Sequence, residues 1–145
     1  MTKKHVIENS TLEQLEGEAW GEPECSSHLV TECHRLRRVL LHDFTVENLR
    51  IMIGQDIGLP FLMPLAVKAL RADPIAEGAY FPGDLLCAVL RASPDYWARD
   101  VVGRSEVEGI ARQALALFAP EEKTESRAVN EALALFLNSA AESNE

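Results

Sequence analysis

Basic residues are what this sequence is short of. Its 145 residues carry 14 Lys and Arg against 23 Asp and Glu, a formal net charge of −9. A nucleic-acid binder displaces counterions from phosphate with a basic stripe, and the balance here runs the other way. Docking on an anionic membrane surface is disfavoured on the same ground. Only "HRLRRV", from His34 to Val39, gathers cations into a compact cluster. The partner class this charge favours is a basic protein or another cation.

Cysteine is scarce too. The three present are Cys25, Cys33 and Cys87, an odd number. Cys33 and Cys87 fall within apolar helical patterns, where a free thiol acts as a small hydrophobe, so no disulfide framework is implied. "MTKKHVIENS" has no apolar run behind its lysines and does not read as a signal peptide. No stretch approaches the roughly 20 apolar residues of a membrane span. A cytoplasmic protein is expected, with neither membrane nor nucleic acid among its partners.

Catalytic signatures are missing as well. There is no G-x-S-x-G elbow, and "GQDIG" lacks the form of a phosphate loop. The four histidines (His5, His28, His34, His42) all lie in the first third of the chain. A Cys33–His34 dyad would point its side chains about 100° apart on a helix, against the hydrogen bond such a pair needs. Cys25, His28, Cys33 and His34 are the one set resembling metal ligands, but their spacing departs from the paired C-x-x-C and H-x-x-x-H arrangements of structural zinc. Acids in surplus always produce carboxylate pairs, so glycosidase chemistry is not indicated. No catalytic residue, metal or cofactor is expected.

What is present is helical periodicity. Ser10 with Glu13, or Thr11 with Gln14, forms a capping box for a helix kept short by Gly17, Gly21 and Pro23. Ser26 or Ser27 opens the next helix, whose apolar stripe is Leu29, Cys33, Leu36 and Leu40, with Arg35, Arg37 and Arg38 largely off it. Thr45 caps "VENLRIMIG", which buries Val46, Leu49 and Ile53, with Met52 as a further candidate, and ends near Gly54. "LPFLMPLAVKALRADP" is apolar nearly all round from Leu62 to Leu70, which marks a central helix with Pro60 and Pro64 in or before its first turn. Then come the irregular "IAEGAYFPG", the helix "DLLCAVLRA", and "PDYWARDVV" opened by Ser93-Pro94. A helix capped by Ser105 and Glu108 follows, with Val107, Ile110, Ala114 and Leu117 on one face. The last covers about Ser126 to Asn138, with Val129, Leu133, Phe136 and Leu137 inward. No window alternates like a strand. The expected fold is all-α: a single compact domain of about six to eight short helices over residues 10–140, with residues 1–9 a flexible tail and residues 141–145 frayed.

One segment is harder to place. "TLEQLEGEAWGEPE" holds Glu13, Glu16, Glu18, Glu22 and Glu24 around Trp20 with no Lys or Arg among them. Such a run is ordinarily a solvated face. Trp20 either seals an edge of the core or stands exposed as an anchor. Tyr80, Phe81, Asp84, Tyr96 and Trp97 make a second aromatic and acidic group, in which Trp97 reads as core and Tyr80 as a contact residue.

Four elements then carry a family likeness: "LEGEAWGEP", "CHRLR", "LRIMIGQDIGLPFLMPLA" and "YFPGDLL". In this order and spacing, the chain resembles the helical immunity proteins of bacterial contact-dependent growth inhibition systems. The resemblance implies a non-enzymatic protein that binds the C-terminal toxin domain of a surface-exposed effector and occludes its active site. Such toxins are often nucleases, RNases above all, whose clefts are basic and suit an acidic inhibitor. The expected toxin contacts are Glu13, Glu16, Glu18, Glu22 and Glu24, with Tyr80 and Asp84. A helical adaptor or regulatory module for another basic protein is the alternative.

Overall fold

A computed structural model describes residues 3–24 and 27–143, with side chains described for residues 6–24 and 27–139. Among the described residues the regular structure is helical: α1 (Lys3–Glu8), α2 (Leu12–Glu16), α3 (His28–Leu36), α4 (Val46–Gly54), α5 (Leu59–Ala72), α6 (Asp84–Leu90), α7 (Pro94–Arg99), α8 (Val101–Leu117) and α9 (Lys123–Ser143). A 3-10 turn, Leu41–Asp43, joins α3 to α4, and a lone bridge between Glu77 and Pro82 replaces any strand. The fold is all-α.

Local chemistry sets most of these boundaries. Of the two capping boxes open to α2, Thr11 and Gln14 form the one that is used, each side chain bonding the other's backbone N–H. Ser10 instead turns back, its hydroxyl donating to the Val6 carbonyl at 2.7 Å. Residues 3–8, expected as tail, wind into α1, and Ile7 packs against the core. Gly17 closes α2 in the left-handed conformation. Thr45 and Asn48 make a second reciprocal box at α4.

Several expectations give way. The capping of α8 falls to Asp100, whose carboxylate accepts from the Gly103 N–H at 2.9 Å. A carboxylate at the N-cap meets both the unpaired amides and the positive end of the helix, so the chain turns there and Ser105 ends up inside α8. Pro64 lies within α5 rather than in its first turn. Its ring deprives the Pro60 carbonyl of a helical donor, which is tolerable because both prolines face solvent. Helix α3 stops at Leu36, so Leu40 is outside it, and Leu29 and Leu117 are exposed rather than inward. Helix α9 extends past Asn138 to Ser143, and the expected fraying at residues 144–145 lies outside the described residues.

The centre of the fold is α6, not α5. Leu85, Leu86, Val89 and Leu90 are buried on this seven-residue helix, which packs against α4 on one side and α9 on the other. Helix α5 packs on α4, α6 and α8 through Leu62, Met63, Ala66, Val67 and Leu70. Trp97 closes the far end as expected of a core aromatic: its indole N–H donates to the Val89 carbonyl at 3.2 Å, and its ring meets Phe136 edge-on at 5.5 Å. Two turns are tied from a distance. Asp56 accepts the Ser93 N–H at 2.9 Å, pinning the α6–α7 turn to the end of α4. Gly58 adopts φ +65°, and a Cβ there would lie 2.8 Å from Leu12 on α2, so only glycine permits this approach.

Candidate functional site

The acidic segment is held down from α3. The backbone stitches the two together: the Glu13 N–H donates to the Arg37 carbonyl at 3.1 Å, and the Leu41 N–H to the Ser10 carbonyl at 3.0 Å. Arg37, the residue after α3, then turns its side chain under the segment and is only 2% exposed. One guanidinium nitrogen is paired with the Glu16 carboxylate, and the other donates to the Glu18 carbonyl at 2.6 Å. The guanidinium carbon lies over the Trp20 ring, 4.3 Å from its centre. Arg37 Nε is buried without a hydrogen-bond partner, and the adjacent indole face offsets part of that cost by cation–π attraction.

Of the two places open to Trp20, the sealed core edge is not the one it takes. It is 38% exposed, with Arg37 against its face and His34 edge-on at 5.1 Å. His34 is fixed in turn, its Nδ1 donating to the Gly21 carbonyl at 3.1 Å. The segment 17–24 is thus an irregular loop with an ordered aromatic centre.

The five glutamates divide into two groups. Glu16 answers Arg37, and Glu13 pairs with Arg38 at 3.3 Å, so both are matched by the "HRLRR" cations within the fold. Glu18, Glu22 and Glu24 are exposed, and their carboxylates have no cationic partner among the described residues. With Trp20, Val30 and His34 they line a shallow depression of about 480 Å³. Chemically, the arrangement sets unpaired carboxylates beside an aromatic ring, groups that attract cationic side chains.

The α5–α6 loop gathers the other two expected residues but gives them different places. Tyr80 is 72% exposed. Asp84 is buried at 4% and points away from solvent, its carboxylate accepting the loop's own N–H groups from Gly78 and Tyr80. It cannot reach a partner from there, which corrects its expected place on the contact surface. The residues that periodicity and motif missed are Arg37, Glu47 and Arg50. Glu47 bridges the Ala79 N–H and Arg50, and the Arg50 guanidinium beside it, aided by the Ala79 amide, holds its carboxyl below the usual carboxylate range against the opposing pull of burial.

Other features carry no comparable chemistry. An open groove of about 570 Å³ is lined by residues of α1, α5 and α8, among them Ile7, Phe61, Pro64 and Val102. Cys33 and Cys87 are buried free thiols, and burial pushes both upward, Cys87 to about 11, away from nucleophilic use. Among the described residues no group of His, Cys, Asp and Glu could hold a metal ion, while Cys25 lies outside them. No helix of the described residues is long and apolar enough to cross a membrane.

Fold and surface together describe a small all-helical protein that shows charge and aromatic rings on its loops. The chain belongs to the CDI immunity proteins: the model of that family matches residues 14–107, from α2 into α8. Proteins of this class bind and neutralise a cognate toxin. No curated protein and no solved structure matches the chain. All four sequence elements that suggested the family lie within the match, and three of them supply side chains that tie the fold together. Arg37 of "CHRLR" clamps "LEGEAWGEP", Asp56 of "IGQDIG" ties the α6–α7 turn, and Asp84 of "YFPGDLL" holds its own loop.

Proposed function

We propose that this protein acts in the cytoplasm, by binding alone, to neutralise the C-terminal toxin domain of a contact-dependent growth inhibition effector. The toxin is a nuclease, an RNase in the preferred reading, and the inhibitor covers its active site. One observation carries this reading: Glu18, Glu22 and Glu24 stand unpaired around a fixed, partly exposed Trp20. An RNase cleft lined with Lys and Arg offers that loop the complementary charge, and carboxylates placed in such a cleft occupy the positions of substrate phosphates. No cofactor or metal takes part.

Co-expression tests the reading. The toxin domain encoded beside this chain's gene is produced in cells with and without this protein. Survival with it and death without it supports neutralisation; death in both rejects it. Occlusion is tested separately, because a blocked cleft makes inhibitor and RNA compete, whereas simultaneous binding of both would reject occlusion while leaving neutralisation intact.

A further inference from the structure

The loop between α5 and α6 has a fixed backbone and turns one aromatic side chain to solvent. Asp84 accepts the N–H groups of Gly78, Tyr80 and Phe81 at 2.6, 3.0 and 3.4 Å, and Glu47 accepts that of Ala79 at 2.8 Å. Four successive amides are thus held by carboxylates from two helices. Gly78 makes this possible, since a Cβ there would lie 2.6 Å from Glu47 Oε1. Arg50 completes the mount. It grips Glu47 through two hydrogen bonds, of 2.6 and 2.5 Å, and its guanidinium carbon lies 4.5 Å from the centre of the Tyr80 ring.

All this order ends on a ring that is 72% exposed. The next residue, Phe81, packs inward against the core, so the loop has an apolar anchor of its own and does not need Tyr80 for that. A rigid, exposed aromatic has little conformational freedom left to lose on association, which is the property that makes Tyr effective at the centre of interfaces. The two carboxylates beneath it are already engaged, Glu47 and Asp84 by Arg50 and the loop amides. The ring itself offers an apolar, planar surface.

We propose that Tyr80 is a pre-ordered anchor for the toxin domain, its ring face opposite Arg50 taking an apolar or planar side chain of the toxin. This rests on the toxin-binding reading above. The acidic loop acts on the association rate, by steering, as well as on the bound state; an uncharged anchor acts on dissociation alone.

Binding kinetics of the full chain with the neighbouring toxin domain separate the two. Tyr80→Ala raises koff by about 30-fold and leaves kon and its salt dependence unchanged, while Tyr80→Phe, which keeps the ring, stays within about threefold of the native chain. Native kinetics in Tyr80→Ala overturn the anchor, as does a Tyr80→Phe loss equal to that of Ala. Amide hydrogen exchange tests the pre-ordering: residues 78–81 are protected in the free chain, and protection gained only in the complex overturns it. Failure of the native chain to bind the toxin domain rejects the underlying reading, and the anchor with it. Native binding with an indifferent Tyr80→Ala rejects the anchor alone.

Discussion

Arg37 lies over the face of Trp20, its guanidinium carbon 4.3 Å from the indole centre, and it is buried while the indole is partly open to solvent. The same guanidinium holds Glu16 and the Glu18 carbonyl. One side chain thus fixes the start, the turn and the aromatic centre of the acidic loop. The cations that stood out in an acidic sequence are internal counterparts of the acids that stood out beside them.

Arg37→Met removes this clamp and leaves Glu16 without its counter-charge. A cost of about 2 kcal/mol is expected, below the range for fully buried pairs because Glu16 keeps some contact with water. That lowers Tm by about 6 °C for a domain of this size. Thermal melts check the stability, and Trp20 fluorescence, shifted to the red as the indole gains water, checks the loop.

Charge reversals distinguish the two groups of glutamates. Glu16→Lys sets a like charge on Arg37 and is expected to destabilise the fold by about 2–3 kcal/mol. Glu18→Lys and Glu22→Lys meet no cation within the fold, and stability stays within about 0.5 kcal/mol. Urea denaturation of the single variants reads the difference directly. A weakened complex from Glu16→Lys would report on the fold as much as on the toxin.

Helix class, most caps and most core positions were legible because they depend on local pattern: Thr45 before "VENL", the inward Val129, Leu133 and Phe136, the buried Trp97. What was hidden depended on long-range pairing. Arg37 reads as a surface cation on an uninterrupted helix, and becomes buried only because α3 ends one residue earlier and the acidic loop folds over it. Asp84 reads as an exposed acid at a helix start, yet its carboxylate turns back into the preceding loop. The misplaced start of α8 had a readable signal in Asp100, an N-cap acid ahead of Gly103, that competed with Ser105 and won. The apolar character of α5 pointed to the centre, but Pro60 and Pro64 face solvent and α6 takes that place.

Two glycines should respond oppositely to alanine. Gly109 lies in the interior of α8 with open space around it, and Gly109→Ala is expected to stabilise by about 0.5–1 kcal/mol through the lower helix cost of Ala. Gly58→Ala combines positive φ with a clash against Leu12 and should cost about 2–3 kcal/mol. Paired denaturation midpoints settle both signs.

Alkaline pH should loosen the fold through Cys87. Burial is the main cause that pushes its thiol up to about 11; nearby Arg91 opposes the rise and Asp84 adds to it. In the unfolded chain the thiol ionises at its ordinary value of 9.0, so unfolding releases a proton that the folded state retains. The contribution is whole below 9.0 and is lost as pH climbs to about 11. Tyr96, raised by burial and by its hydrogen bond to Asp100, acts in the same direction at higher pH. Cys87→Ala, compared with the native chain below pH 9.0 and near 11, should show a shallower decline.

The most direct test of the account is a titration of the toxin domain with the native chain and with a Glu18→Lys, Glu22→Lys, Glu24→Lys triple variant, each at low and at physiological salt. The native complex is predicted to weaken as salt rises. The triple variant should melt like the native chain, lose about 100-fold or more in affinity at low salt, and show a flatter salt dependence. A triple variant that binds as tightly, with the native salt dependence, would contradict the acidic loop as the inhibitory surface.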